Sequence, residues 1–181
     1  AEKLQIDDTS AVLMLEHLGT DLSKIEKEIA KLAINLDDGA IVSPADIEKY
    51  IGVSKDYNIF EYTKALVNRD HERAFKIAKY FVNNPKLNPP VKVLGFIAPF
   101  FTKAFVYQFM KGVNDREVQS QIKTFPAQMY DLKAFTKNYR PAEAEKVLNL
   151  LAEYDLKAKG VDYTASDKSP LLMEMTYRIL N

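Results

Sequence analysis

The chain has no cysteine. Disulfides and thiolate metal sites are therefore excluded, and the absence fits a reducing cytoplasm, which is the expected location. Glycine is scarce: the six are Gly19, Gly39, Gly52, Gly95, Gly112 and Gly160. No two of them have the spacing of a phosphate-cradling loop, and no Gly-Lys-Ser/Thr follows any of them, so ATP or GTP hydrolysis by this chain alone is not expected. The two histidines, His17 and His71, stand in separate segments without a ligand-type partner one helical turn away, so neither a metal nor a cofactor is expected. There is no nucleophile elbow for Ser/His/Asp chemistry. The carboxylate pairs Asp37–Asp38 and Glu143/Glu145 read as solvated turn and surface groups, and no catalytic residue is expected. Long hydrophobic runs are missing as well. The most apolar stretch, Val93 to Phe101, lies between Lys92 and Lys103 and is about half of what a membrane span needs. Residues 1–10 are too polar for a signal peptide.

The sequence does hold enough for a core: of 181 residues, 47% are hydrophobic and 28% charged, an ordinary globular balance. The net charge of zero is unevenly spread. Residues 1–56 hold six Lys and Arg against twelve Asp and Glu, whereas residues 57–181 hold nineteen against thirteen. Nineteen of the twenty aromatics also lie after residue 56, with only Tyr50 before it. Charge and aromatic content changing together predict a domain boundary near residues 54–57.

The punctuation is that of helices, and the expected fold class is all-α. Leu13, Leu15 and Leu18 mark a first short helix that Gly19 can close. Thr20 can cap a second, whose Leu22, Ile25, Ile29, Leu32 and Leu36 step by three or four residues to form one apolar stripe. Ser43-Pro44-Ala45-Asp46 combines a cap, a first-turn proline and an acid three residues on, and Gly52 ends the helix it starts. Asn58-Ile59-Phe60-Glu61 and Asp70 open the next two, the second burying Phe75, Ala78, Phe81 and Val82. A long helix is predicted from Asn88-Pro89 to about Met110, kinked at Pro99. Others follow from Asn114, from Pro126, over 141–159 and over 170–180, the last behind a Ser169 cap. No stretch alternates at period two, so no strand is expected.

Two segments carry candidate binding residues. Phe96 and Phe100 lie four apart on the long helix, as do Ile97, Phe101 and Phe105, so the four phenylalanines fall on two stripes. At most one stripe is expected to face the centre of a small bundle, which leaves Phe96, Phe100, Phe101 and Phe105 divided between a core and a partner-facing edge. From Lys123 to Arg140, the bases Lys123, Lys133, Lys137 and Arg140 alternate with Phe125, Tyr130, Phe135 and Tyr139. Such a pattern can neutralise phosphates and stack bases. It is equally the pattern of an amphipathic helix whose aromatics fill a core.

The order of segments resembles a known family. Leu18-Gly19-Thr20-Asp21-Leu22-Ser23-Lys24-Ile25-Glu26-Lys27-Glu28-Ile29-Ala30-Lys31-Leu32 resembles the signature of the delta subunits of bacterial DNA polymerase III clamp loaders. Ile41 to Tyr50, Ile51-Gly52-Val53-Ser54 with Asn58-Ile59-Phe60-Glu61, and Ala152 to Gly160 resemble its following segments. The resemblance implies a helical lid of the AAA+ type over 1–56 and a helical-bundle collar over 57–181, the domain that gathers loader subunits into a ring. It implies a non-catalytic role in DNA replication, with other loader subunits as partners. DNA would be touched weakly or indirectly, no membrane is involved, and the sliding clamp would be reached only through a preceding domain that has no counterpart here. Where related ATPases carry a nucleotide-sensing arginine, Thr20-Asp21-Leu22-Ser23 has none. The alternative reading is a helical adaptor that binds peptide or nucleic acid through its basic C-terminal half.

Overall fold

Capping chemistry sets many of the element ends. In the structure, a computed structural model, all residues are described except 1–3, 19–21, 53, 55–56, 111 and 127, and the side chains of Glu16 and His17. The Gly19 stop, the Thr20 cap, half of the region compared with the sensing arginine, and part of the expected 54–57 boundary therefore lie outside the described residues. The rest forms ten helices and one very short parallel strand pair. The chain divides into two compact units, residues 1–60 and 61–181.

The first unit contains β1 (Gln5–Ile6), α1 (Asp8–Leu18), α2 (Leu22–Asn35), β2 (Ile41–Val42) and α3 (Pro44–Ile51). Its core is Leu13, Met14, Leu32, Val42 and Ile47, edged by Ile29, Leu36 and Tyr50. Ser43 starts α3 as its sequence predicts. Its hydroxyl accepts from the Asp46 amide at 3.3 Å, and the Asp46 carboxylate accepts from the Ser43 amide at 2.9 Å. Hydrogen bonds from the Ser43 side chain and amide hold the Asp46 carboxyl below its usual range. Gly52 closes α3 at φ +84°, where a side chain would be strained.

Two expectations fail in this unit. Leu22 is almost fully exposed rather than part of the buried stripe, because the stripe meets α1 and α3 only further along α2, at Ile29 and Leu32. The strand pair has no period-two signal: Gln5 pairs with Ile41 and Ile6 with Val42, and two residues cannot display an alternation.

The second unit is built on α6 (Pro90–Tyr107), which packs against α7 (Asp115–Ile122), α8 (Gln128–Asn138) and α9 (Pro141–Lys159). A further helix, α10 (Pro170–Leu180), packs on α9 and on α5 (His71–Asn83), and α4 (Ile59–Val67) spans the division between units. In α5 the buried residues are Ala74, Ile77, Ala78 and Phe81, so the stripe is rotated from the expected one and Phe75 is only half-buried. Tyr62 donates to the Thr176 hydroxyl at 2.7 Å, since the one proton of Thr176 is committed to the Leu172 carbonyl at 2.6 Å. Ser169 is a second correction: its side chain caps nothing, and the Asp167 carboxylate accepts from its amide instead.

The helix α6 continues through Pro99 and ends at Tyr107, after which Phe109 and Met110 bond back three residues in a tighter turn. By length and composition it could cross a membrane. Its Val93, Leu94, Ile97, Phe100, Phe101 and Ala104 are buried within the unit.

Candidate functional site

The four phenylalanines of α6 are divided between neighbours, not between stripes. Phe100 and Phe101 are buried, while Phe96 and Phe105 are half-buried. Both stripes therefore reach the interior, contrary to the expectation that at most one would. The physical reason is that α6 packs against three helices, so the covered arc exceeds the 100° between adjacent side chains. Phe101 meets Phe100 and Phe135 edge-on, with centroids 5.8 and 5.4 Å away.

The remaining side of α6 was not legible as a site. Val91, Gly95, Pro99, Thr102 and Val106 are exposed, and Phe109 continues the row in the following turn. The steps of three and four residues put them on one face, and none is charged. Phe105 touches Phe109 edge-on at 5.2 Å beside this row. At Gly95 an added Cβ would meet nothing within 4 Å, and its φ is not in the left-handed region. Neither backbone geometry nor internal packing therefore requires a glycine there, although glycine weakens a helix interior by roughly 0.5–1 kcal/mol.

The basic and aromatic residues of 123–140 separate into two sets. Phe135 and Tyr139 are core residues, stacked at 4.7 Å. Phe125 and Tyr130 are exposed. Lys123 ends α7 with φ +50°, and its carbonyl accepts from Lys103 Nζ at 2.6 Å. Lys133 is held by Asp115 at 2.6 Å, which raises its pKa. Lys137 and Arg140 are brought together at a cleft of 610 Å³ at the α8–α9 turn, lined also by Gln108, Asn138, Tyr139 and Glu143.

Around that cleft, sequence-distant groups meet. The Arg69 guanidinium lies 4.4 Å over the Tyr139 ring and reaches Glu143 at 3.3 Å. Burial pushes the Tyr139 phenol up to about 12, with Arg69 opposing the shift. Buried Gln108 donates to the Tyr139 carbonyl at 2.8 Å. Nothing in the sequence marks Gln108 or Arg69, because both act through partners far away along the chain. His71 is exposed at the start of α5, and among the described residues no cluster of His, Asp or Glu could hold a metal ion.

No family model matches the chain. In sequence it is 26% identical over 160 residues to the DNA polymerase III subunit delta of Bacillus subtilis, a match covering 85% of this chain and 43% of that protein. In fold it is similar to the DNA clamp loader delta protein of the same organism, with a TM-score of 0.68 at 21% identity, covering 99% of this chain and 52% of the other. The chain thus spans about half the length of the proteins it matches. Over most of its own length the chain is thus similar in sequence to the delta subunit of bacterial DNA polymerase III, and similar in fold to a clamp loader delta protein.

Proposed function

We propose that the chain is a non-catalytic part of a clamp loader, with residues 1–56 as the lid and 57–181 as the collar that assembles with other loader subunits to load a sliding clamp onto DNA. The observation that carries this is the sequence likeness to the DNA polymerase III subunit delta over 85% of the chain. Within the collar, the partner-facing surface is the uncharged row from Val91 to Phe109, flanked by Phe96 and Phe105. A helix of a neighbouring loader subunit fits it, because Gly95, Pro99 and Thr102 are small enough for close backbone approach and Phe109 supplies an aromatic anchor. A glycine that the chain's own backbone geometry and packing do not require supports this use of the face. Clamp opening is assigned to the part of the relatives that this chain does not span.

The test mixes the purified chain with partner loader subunits, and separately with the sliding clamp, on a size-exclusion column. Co-elution with at least one loader subunit and none with the clamp is expected. Association with no loader subunit, or co-elution with the clamp, overturns the reading. The adaptor alternative then gains ground, supported by the α8 face on which Tyr130, Lys133 and Lys137 recur at helical spacing towards Arg140.

A further inference from the structure

The cleft at the α8–α9 turn has three properties that together define a ligand. The first is charge. Lys137 and Arg140 are exposed on its rim, and neither forms an ion pair among the described residues. The one carboxylate among its lining side chains, Glu143, is already engaged by Arg69 at 3.3 Å and by the Arg140 amide at 2.8 Å. The second is one unmatched acceptor. The Phe135 and Arg140 carbonyls around the turn are engaged by the Tyr139 amide and by the Glu143 and Ala144 amides. Gln108, 7% exposed, spends its Nε2 on the Tyr139 carbonyl, and its buried Oε1 accepts from no group among the described residues. The third is the absence of a stacking surface. Phe135 lies 4.7 Å from the Tyr139 ring at 17° and Arg69 4.4 Å from it. Two groups that close to one ring centre must take opposite faces, so both are covered.

A fitting ligand brings negative charge and N–H donors and needs no aromatic face. A phosphodiester backbone brings charge without donors, and inorganic phosphate brings an O–H but fills little of a cleft of 610 Å³. A nucleobase brings donors, but single-stranded nucleic acid binds largely by stacking on aromatic rings. A peptide brings main-chain N–H groups along with side-chain carboxylates. We propose that this cleft binds an acidic, extended peptide segment of a partner protein, with Lys137 and Arg140 pairing its carboxylates and the Gln108 side chain accepting from its main chain. The cleft shares no residue with the uncharged face of α6, so the inference does not rest on the loader reading.

The experiment uses the whole chain and a fluorescein-labelled hexapeptide of alternating Asp and Glu, read by anisotropy. A hexapeptide of Asn and Gln and a labelled oligothymidylate decamer run beside it, and ¹⁵N–¹H spectra follow the Gln108 side-chain amide. The acidic peptide is expected to bind, to shift that amide and those of residues 136–140, 142 and 143, and to bind about tenfold more tightly than its neutral counterpart, because charge complementarity selects between them. Lys137→Glu with Arg140→Glu should lose that preference while keeping the melting temperature. If the reversal unfolds the chain, Lys137→Ala and Arg140→Ala singly should each weaken binding. Unchanged binding in a folded variant, or binding of the oligonucleotide alone through these residues, overturns the proposal.

Discussion

The Tyr139 hydroxyl donates to the Leu66 carbonyl at 2.6 Å, across 73 residues of sequence. Beside it, Asn138 Nδ2 donates to the Val67 carbonyl at 3.0 Å. The α8–α9 turn thus adds to a local cap: the Arg69 and Asp70 amides bond back to the Leu66 and Ala65 carbonyls at 3.1 and 2.9 Å, and Arg69, at φ +53°, takes the left-handed position that glycine usually fills. Tyr139→Phe keeps the ring in its stack and removes the hydroxyl. It should lower stability by about 0.5–1.5 kcal/mol, since one buried hydrogen bond is lost while the Leu66 carbonyl keeps the Arg69 amide as a donor. Urea denaturation followed by circular dichroism checks this.

The same burial predicts alkaline lability. A tyrosine in the unfolded chain ionises near 10.0, whereas folded Tyr139 does so only near 12, and burial also raises the Tyr62 pKa. The neutral phenols are the ones that fit, so their contribution is complete below pH 10 and is lost progressively as pH rises towards 12. Absorbance at 295 nm should show part of the tyrosinate signal appearing together with loss of helical ellipticity. Full ionisation of every tyrosine near pH 10 with the helices intact would contradict it.

Gly95 separates folding from association. Gly95→Ala should raise stability by roughly 0.5–1 kcal/mol, because a helical glycine is replaced where nothing obstructs the new methyl group. Gly95→Leu should leave the fold intact and abolish co-elution with loader subunits, because it fills the proposed contact. Retained co-elution would remove the α6 face from the interface.

Two phenylalanines on the same segment should behave oppositely. Phe101→Ala empties a fully buried position between Phe100 and Phe135 and should cost about 3–5 kcal/mol. Phe109→Ala, on an exposed ring, should change stability by no more than about 0.5 kcal/mol while weakening subunit association. Chemical denaturation and size-exclusion chromatography measure the two effects separately.

In the first unit, Ser43→Ala should destabilise by about 1 kcal/mol, because the α3 start loses its reciprocal cap. The depressed Asp46 pKa gives the sign with pH: this contribution is present above the ordinary carboxylate pKa and fades as pH falls through the folded value. Protection of the α3 amides, measured by hydrogen exchange relative to the intrinsic rate at each pH, should therefore fall in the variant and, for the parent chain, in acid.

Helical class and several boundaries were legible because capping is local. Ser43 with Asp46, Asp70, Asn114 and Gly52 act within one turn of their own position, so residue order alone specifies them. Absent glycine-loop spacing and absent cysteine were equally plain. Tertiary structure decided which sides of a uniformly apolar helix are covered. Phe100 and Phe101 are both inside because α7, α8 and α9 surround α6, and the row from Val91 to Phe109 is outside because nothing within the second unit covers it. Ser169 failed as a cap, and Leu22 as a core residue, for the same reason: an identical local pattern is used only where the surrounding elements reach it. The cleft lay furthest from view. Arg69, Gln108 and Tyr139 come from three separate segments, and no spacing along the chain encodes a contact that packing alone creates.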